Sequence, residues 1–264
     1  MGSGERPALR VDLLGGFRLL AGGEQVTVSG GTERLVSFTA LCGQAVPRTL
    51  LAGTLWPDRP ERRAQASLRS ALARLEAAGR LVLDIGSTEV RLSPAAGVDI
   101  GEARALARRV LDPGGRPAGA DLSAAAVEAL SVDLLPGWYD DWVVREAEEW
   151  HQLRLHALEA LADDFVEAGR FADAVAAAGT AVRAEPLRES AHAALIRAHL
   201  AEGNQAEALR VFERYERLLS CELGLRPTPL VADLVAGLRA SPSGEGRGHP
   251  LRPADQRARM SSRL

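Results

Sequence analysis

The sequence predicts an α+β region over residues 8–95 and an all-α region over residues 98–240. In the first region, apolar and polar residues alternate between glycines, which is the pattern of short strands with one buried face. Three amphipathic segments with the helical period lie between these strand patterns. In the second region the alternation stops, and a short motif recurs after 34 residues. A chain of 264 residues is long enough for two domains of ordinary size.

Strands are predicted at both ends of the first region. Residues 8–29 contain the segments LRVDLLG, FRLL and QVTVS, with a turn at Ala21–Glu24 before the last of them. This alternation predicts a small antiparallel sheet. Residues 81–93, LVLDIGSTEVRLS, alternate on both sides of Gly86–Ser87, which predicts a β-hairpin.

Three helices are predicted between the sheet and the hairpin. The first is Thr32–Gly43, with Thr32 as its N-cap, and the second is Arg48–Leu55, which ends before Trp56 and Pro57. The third is Arg62–Ala78. Strands, three helices and a closing hairpin are the elements of a winged helix-turn-helix domain, and the extra N-terminal strands resemble those of response-regulator output domains.

The third helix has a buried stripe and a basic side. Leu68, Leu72 and Leu75 recur at the helical period, so they define the buried stripe. A rotation of about 100° per residue places polar and small residues on the open side and two arginines on its flank. These are Arg63, Ser67, Ser70 and Arg74, with Ala66 and Ala73 between them and Arg62 and Arg69 on the flank. An ordinary amphipathic helix with a solvated arginine face is the alternative.

The charge of the chain is unevenly distributed. Residues 1–98 carry 12 arginines against 9 acidic residues, whereas residues 99–264 carry 20 against 26. The chain has no lysine, so every strongly basic side chain is an arginine. The N-terminal region is therefore the part suited to a phosphate backbone.

These features predict an interface with double-stranded DNA. The small alanines would let the third helix approach base edges in the major groove while its arginines reach bases or phosphates. We expect base contacts from Arg63, Arg69, Ser70 and Arg74. Arg48, at the start of the preceding helix, is expected to hold a phosphate. Arg91 on the hairpin is expected to touch the adjacent backbone or minor groove, although Asp84 and Glu89 oppose its charge.

The second region reads as helices with an internal repeat. Helices are predicted at Ala103–Leu111, Ser123–Leu134 and Val143–Ala168. The motifs GRFADA at 169–174 and GNQAEA at 203–208 are 34 residues apart, the period of tetratricopeptide repeats. Pro186 closes the first unit, Thr228–Ala240 is expected to be a capping helix, and residues 241–264 are expected to form a disordered tail.

A break in the helical pattern holds three aromatic residues, Trp138, Tyr139 and Trp142. A large exposed aromatic patch would be adhesive, so we expect all three to pack this loop onto the helices. An exposed anchor for a partner protein is the alternative.

Parts needed for catalysis are missing from the sequence. The HExxH, GxGxxG, GxxxxGK[ST] and GxSxG motifs do not occur, and Cys42 and Cys221 stand far apart. We therefore expect no catalytic residues, no cofactor and no metal site. The two isolated cysteines and the lack of 18 consecutive apolar residues predict a cytoplasmic protein without a membrane partner.

Several segments together resemble one family. They are RVDLLGGFRLL, LAGTLWPD, QASLRSALARL, VDI at 98–100, LLPGWYDDWVV, LRLHALEAL, the repeat segment from AEPLRES to ERYERLL, and CELGLRPTP. This string is similar to the SARP-type antibiotic regulatory activators, which join a winged helix to a bacterial transcriptional activator domain. The resemblance implies binding to promoter direct repeats, usually of secondary-metabolite clusters, as a homodimer on DNA. It also implies recruitment of RNA polymerase subunits, including the sigma factor.

One position departs from the family pattern. Glu76 stands where these activators are expected to carry a basic residue, and a carboxylate there would be repelled by phosphates. A glutamate can also accept a hydrogen bond from cytosine N4, so the departure predicts either weak or unusually selective DNA binding. The alternative functions are an adaptor that acts through its repeats, and a ligand sensor that uses the groove between them.

Overall fold

The computed structural model describes residues 9–75, 77–112, 114 and 119–239. The predicted tail and Glu76 lie outside these residues. The N-terminal elements are β1 (Leu9–Asp12), β2 (Arg18–Ala21), β3 (Glu24–Val26), α1 (Gly30–Cys42), β4 (Val46–Pro47), α2 (Arg48–Leu55), α3 (Glu61–Ala73), α4 (Ala77–Val82), β5 (Leu83–Ile85), β6 (Glu89–Leu92) and β7 (Ala96–Val98). The helices that follow are α5 (Asp99–Val110), α6 (Ala124–Leu130), α7 (Asp141–Glu167), α8 (Phe171–Ala184), α9 (Glu189–Glu202), α10 (Gln205–Leu223) and α11 (Pro229–Arg239).

Two small sheets frame the first helices. The N-terminal sheet has the strand order β3-β2-β1-β7, and the second sheet has the order β4-β6-β5. Gly22 and Gly23, with φ angles of 61° and 89°, form the two-residue turn between β2 and β3. Both angles lie in the left-handed region, as a tight hairpin turn requires. Together with the helical region, these sheets confirm the predicted fold class.

The N-terminal sheet is not purely antiparallel, which corrects the prediction. β7 pairs in parallel with β1, and Leu9 lies opposite Ala96. The sequence does not reveal this strand, because it has three residues, includes Gly97 and shows no alternation. The segment between the two predicted domains is therefore a strand of the N-terminal sheet.

The start of α1 also corrects the prediction. Ser29 is the N-cap, and its Oγ accepts a hydrogen bond from the Thr32 amide at 3.4 Å. Thr32 lies inside the first turn and is buried. Ser29 and Thr32 are both good capping types, so local preference alone did not decide between them.

The predicted third helix is two helices in the structure. α3 ends at Ala73, and α4 begins at Ala77. Arg80 folds back and donates to the carbonyl oxygens of Leu75 at 3.0 Å and Ala73 at 3.2 Å, so it satisfies acceptors that a helix end leaves open. A Cβ atom at Gly79 would lie only 3.0 Å from a Leu75 methyl group. The absence of a side chain there lets α4 approach the end of α3 closely.

Helix α6 is shorter than predicted, because it ends at Leu130 instead of Leu134. The residues after it form backbone hydrogen bonds with the N-terminal region. The Gly15 amide donates to the Asp133 carbonyl oxygen at 2.8 Å, and the Leu135 amide donates to the Leu13 carbonyl oxygen at 2.9 Å. These long-range backbone bonds replace the helical ones. The helical region is thus joined to the N-terminal sheet by main-chain hydrogen bonds.

The helical repeat is visible in the backbone. Gly169 and Gly203 both end a helix in the left-handed region, with φ angles of 71° and 86°. In each turn the amide of the residue after the glycine donates a hydrogen bond to the carbonyl oxygen five residues earlier. These bonds join Arg170 to Phe165 and Asn204 to His199, both at 2.8 Å. Helices α7 to α10 therefore form two successive pairs with equivalent turns, and α11 packs against α9 and α10.

One half-buried carboxylate ties the two regions together. Asp99 accepts hydrogen bonds from the amides of Leu13 at 2.8 Å, Leu14 at 2.9 Å and Ile100 at 2.6 Å. Burial raises the pKa of Asp99, and the three amide bonds oppose this shift. Asp99 therefore fixes the start of α5 against the end of β1.

The aromatic loop forms a second junction. Trp142 is buried, and its ring meets Phe38 of α1 edge to face at 5.2 Å and Trp138 at 6.3 Å. Arg34 of α1 pairs with Asp140. Tyr139, in contrast, is 87% exposed, so the expectation that all three aromatic residues pack inward is wrong for this residue. Within the described ranges, no helix is long and apolar enough to cross a bilayer.

Candidate nucleic-acid interface

Helices α2 and α3 form a helix-turn-helix. α2 ends at Leu55, and the Trp56 amide closes its last turn on Ala52 at 3.1 Å. α3 begins after Pro60, whose carbonyl oxygen accepts from the amide of Arg63 at 2.8 Å. Glu61 lies in the first turn of α3, where a carboxylate is favoured by the positive end of the helix dipole. The tight connection fixes the direction in which α3 points.

The buried side of α3 is the predicted one. Leu68 and Leu72 are 2% and 8% exposed, and Leu75, just beyond the helix, is 4% exposed. On the opposite side the structure exposes mainly arginines and small residues. They are Arg62, Arg63, Ala66, Arg69, Ser70, Ala73 and Arg74. Ser67 was predicted on the open side, but it is half-buried, whereas Ala66 is exposed. The centre of the exposed side therefore lies nearer Ala66 than the sequence predicted.

One cleft, of about 730 Å³, lies between α3 and the N-terminal end of α1. We call it the α1-side cleft, and it brings together Arg59, Arg63, Ser70 and Arg74. Arg59 donates to the Ser67 hydroxyl at 2.7 Å, and Arg74 donates through Nε to the Ser70 carbonyl at 3.1 Å. These bonds hold two guanidinium groups along the surface of α3.

A second cleft, of about 590 Å³, lies between α3, the start of α2 and the hairpin turn. Arg48 and Arg69 both line this wing-side cleft. The Arg48 amide donates to Thr88 at 2.9 Å, and its guanidinium reaches the Gly86 carbonyl at 3.3 Å. Two arginines from separate helices thus share one cleft beside the tip of the hairpin.

Arg91 differs from the other predicted site residues. It lies opposite Asp84 across the hairpin and forms an ion pair with it at 3.2 Å. Both side chains are about half exposed, so this pair screens the charge of the hairpin but adds little stability. Arg91 lines neither of the two clefts beside α3.

The positive charge of α3 is not neutralised. Within the described part of the chain, its exposed arginines form no ion pair with a carboxylate. Those arginines are Arg62, Arg63, Arg69 and Arg74. The surface can therefore attract an anion without first breaking an internal salt bridge.

Sequence reasoning missed Arg59 and Gln65. Arg59 precedes the predicted helix in the connecting turn, and its position just before a helix N-terminus was the available signal. Gln65 lines the wing-side cleft one turn before Arg69, and its amide nitrogen donates to Glu61 at 3.1 Å. Gln65 is neutral and does not belong to the arginine pattern, so no sequence signal marked it.

Comparison with known proteins agrees with this architecture. Residues 88–239 match the family model described as the bacterial transcriptional activator domain. The chain is 29% identical to the regulatory protein AfsR of Streptomyces coelicolor over 276 residues, which cover 97% of this chain and 28% of that protein. It is 33% identical to AfsR of Streptomyces griseus over 244 residues, which cover 86% of this chain and 24% of that protein. The chain thus spans about a quarter of these relatives.

A solved structure shares the fold. The structure of Mycobacterium tuberculosis EmbR in complex with a low affinity phosphopeptide superposes with a TM-score of 0.65 and 22% sequence identity. The superposition covers 90% of this chain and 67% of that one. The family match extends over more than half of the chain, from the hairpin to α11. The chain therefore belongs to the bacterial transcriptional activator domain family and is a SARP-type transcriptional regulator.

Proposed function

We propose that this regulator is an activator that binds double-stranded DNA with α3 in the major groove. The observation that carries the proposal is the exposed side of α3, where arginines that pair with none of the described carboxylates stand beside Ala66 and Ala73. Small side chains let a helix axis approach base edges closely, and guanidinium groups match guanine or phosphate oxygens. In this proposal residues 8–95 are the DNA-binding domain, and residues 98–240 are the activator domain.

The site residues take different roles in the proposal. Arg63 and Ser70 lie on the open side of α3 and contact bases, with Arg69 on the wing side and Arg74 at the C-cap. Arg48 holds a phosphate, because it is the first residue of α2, where the positive end of the helix dipole also attracts an anion.

Two further arginines complete the interface. Arg59 extends the contact from the α1-side cleft toward the backbone. Arg91 contributes less than the others, since the pair with Asp84 must open before it can engage a phosphate.

The wider function rests on the family resemblance. The helical domain would recruit RNA polymerase subunits, including the sigma factor, while two copies occupy promoter direct repeats. The regulated genes would be a secondary-metabolite cluster, and the protein would act in the cytoplasm without enzymatic activity. The names of the relatives support regulation, since both are regulatory proteins.

A neutralised hairpin favours a second candidate. Arg91 is paired with Asp84, and Asp84 and Glu89 are exposed on the same hairpin. The hairpin therefore attracts phosphates only weakly. An adaptor that acts through its helical repeats and binds DNA weakly or not at all would show these features.

A gel-shift titration separates the two candidates. The full chain is titrated against the promoters that flank its own gene, with random duplex as competitor, at about 50 and 200 mM salt. The activator forms a sequence-preferring complex whose affinity falls steeply between the two salt concentrations. The matched control is Arg217→Ala, which removes an exposed arginine of α10 and should leave binding unchanged. If the protein binds no promoter more tightly than random duplex, the result favours the adaptor.

A further inference from the structure

A third cleft lies between the N-terminal sheet, α5 and α6. Its volume is about 610 Å³, which falls within the range of small-molecule sites. Such sites occur preferentially where domains meet, and this cleft is walled by residues of both regions. We call it the junction cleft.

The floor of the junction cleft is apolar and made of small side chains. Ala103 and Leu106 of α5 and Ala126 and Ala129 of α6 line it, together with Val132. Methyl side chains on two packed helices leave room that larger residues would fill. The floor can therefore cover the apolar body of a ligand.

The rim of the junction cleft carries more carboxylates than guanidinium groups. Five acidic residues and three arginines line it, so its formal charge is −2. Each arginine is already held by a carboxylate. The pairs are Arg10 with Glu102 at 3.1 Å, Arg18 with Asp12 at 3.0 Å, and Arg109 with Asp121 at 2.8 Å.

The two other carboxylates of the cleft, Asp99 and Glu128, differ in whether they are free to bind a ligand. The Asp99 carboxylate is engaged by three backbone amides. Glu128 of α6 is exposed, and among the described residues its carboxylate has no hydrogen-bond or ion-pair partner. Glu128 stands on the helical turn next to Ala129, so its free charge lies at the edge of the apolar floor.

We infer that the junction cleft binds a small amphipathic cation, an amine carried on an apolar body. The apolar body lies on the alanine floor, and the ammonium group pairs with Glu128. An anionic ligand is disfavoured, because the arginines of the rim are occupied and the net charge is negative. The bound amine would touch both the N-terminal sheet and the helical region, and this inference does not depend on DNA binding.

Three probes with the same apolar body and different charge test the inference. The chain is titrated with 4-phenylbutylamine, 4-phenylbutanol and 4-phenylbutyrate, while amide resonances are followed by NMR. We expect saturable shifts in α5 and α6, with the amine binding tightest and the acid weakest. Equal affinity for the three probes, or shifts confined to other elements, would overturn the inference.

Two variants locate the binding. Glu128→Gln should weaken amine binding about two- to fivefold, the usual size for an exposed ion pair, and leave alcohol binding unchanged. Glu149→Gln, a matched change of an exposed glutamate on α7, should alter neither. Ala129→Trp should abolish binding of all three probes by filling the floor.

A thermal melt shows whether Ala129→Trp folds. If it does not, the comparison of Glu128→Gln with Glu149→Gln remains decisive, because both changes lie on the surface. Amine binding that is unaffected by Glu128→Gln contradicts the inference.

Discussion

The arginines of α3 and those of the helical region differ in what holds them. Arg154 of α7 is 2% exposed, and it donates to the Ser131 carbonyl at 3.2 Å and pairs with Asp133. Arg188, before α9, bonds to Glu159 at 2.6 Å. The exposed arginines of α3 make no such pairs with described carboxylates.

This difference shows that the role of an arginine in this protein depends on whether it pairs with a carboxylate, and not on the residue type. The chain has no lysine, so arginine serves both as structural crosslink and as surface charge. A buried arginine is costly to desolvate, and at Arg154 the bond to Ser131 and the pair with Asp133 offset part of that cost. An exposed, unpaired one costs little and keeps its charge for a partner.

The largest expected effect is on stability, at Arg154. Burial lowers the pKa of Arg154, and the aliphatic stem packs inside the helical region. Arg154→Ala should lower the free energy of unfolding by about 2–4 kcal/mol, through lost packing and lost hydrogen bonds. Urea denaturation followed by circular dichroism measures this. Arg63→Ala, the matched change on α3, should stay within about 0.5 kcal/mol of the wild type. Equal losses in the two variants would break the comparison.

The next effect is on DNA affinity, at Arg74. Arg74→Ala should weaken binding to the promoter site by about 1–3 kcal/mol and relax sequence preference, while stability hardly changes. Competition between specific and random duplex measures both quantities. Equal losses on the two duplexes would refute a base contact for Arg74.

A smaller effect is expected at Arg48. Arg48→Ala should weaken binding to all duplexes alike and reduce the slope of log affinity against log salt by about 1, because one phosphate contact is lost. Titrations at several salt concentrations give the slope. A changed sequence preference with an unchanged slope would speak against a phosphate contact.

The smallest effect is expected at the hairpin. Asp84→Asn removes the partner of Arg91 and one repelling carboxylate, so non-specific DNA affinity should rise by less than about 1 kcal/mol. The matched control is Glu149→Gln, on α7 and far from the hairpin in sequence. Unchanged affinity for random duplex in the Asp84→Asn variant would show that Arg91 stays away from DNA.

Much of the fold follows from sequence patterns. The structure places α2 at the predicted residues, because Trp56 and Pro57 end the helical pattern abruptly. The stripe of Leu68 and Leu72 fixes the buried side of α3 through its period alone. The hairpin is set by the turn at Gly86 and the alternation around it. These features are local, so a single sequence contains them.

Features that depend on distant residues were not predicted. The end of α3 at Ala73 depends on Arg80, which returns from α4 to cap it. The end of α6 depends on main-chain bonds to residues near Leu13. The parallel strand β7 exists because β1 offers it a free edge. None of these choices is encoded in a local pattern.

The candidate site shows the same division. The exposure of Arg63 and Ser70 follows from the period of α3, and the opposition of Asp84 to Arg91 follows from the hairpin register. The meeting of Arg48 with Arg69 beside the hairpin turn requires three separate elements to pack together. Only the structure shows that meeting.

The most direct test of the central claim is methylation interference on the promoter site. Methylation of guanine N7 places a methyl group in the major groove, where α3 is proposed to lie. The account predicts that methylation at particular guanines blocks the wild-type protein, and that Arg63→Ala loses sensitivity at one of them. Binding that tolerates methylation at every guanine of the site would contradict major-groove recognition by α3.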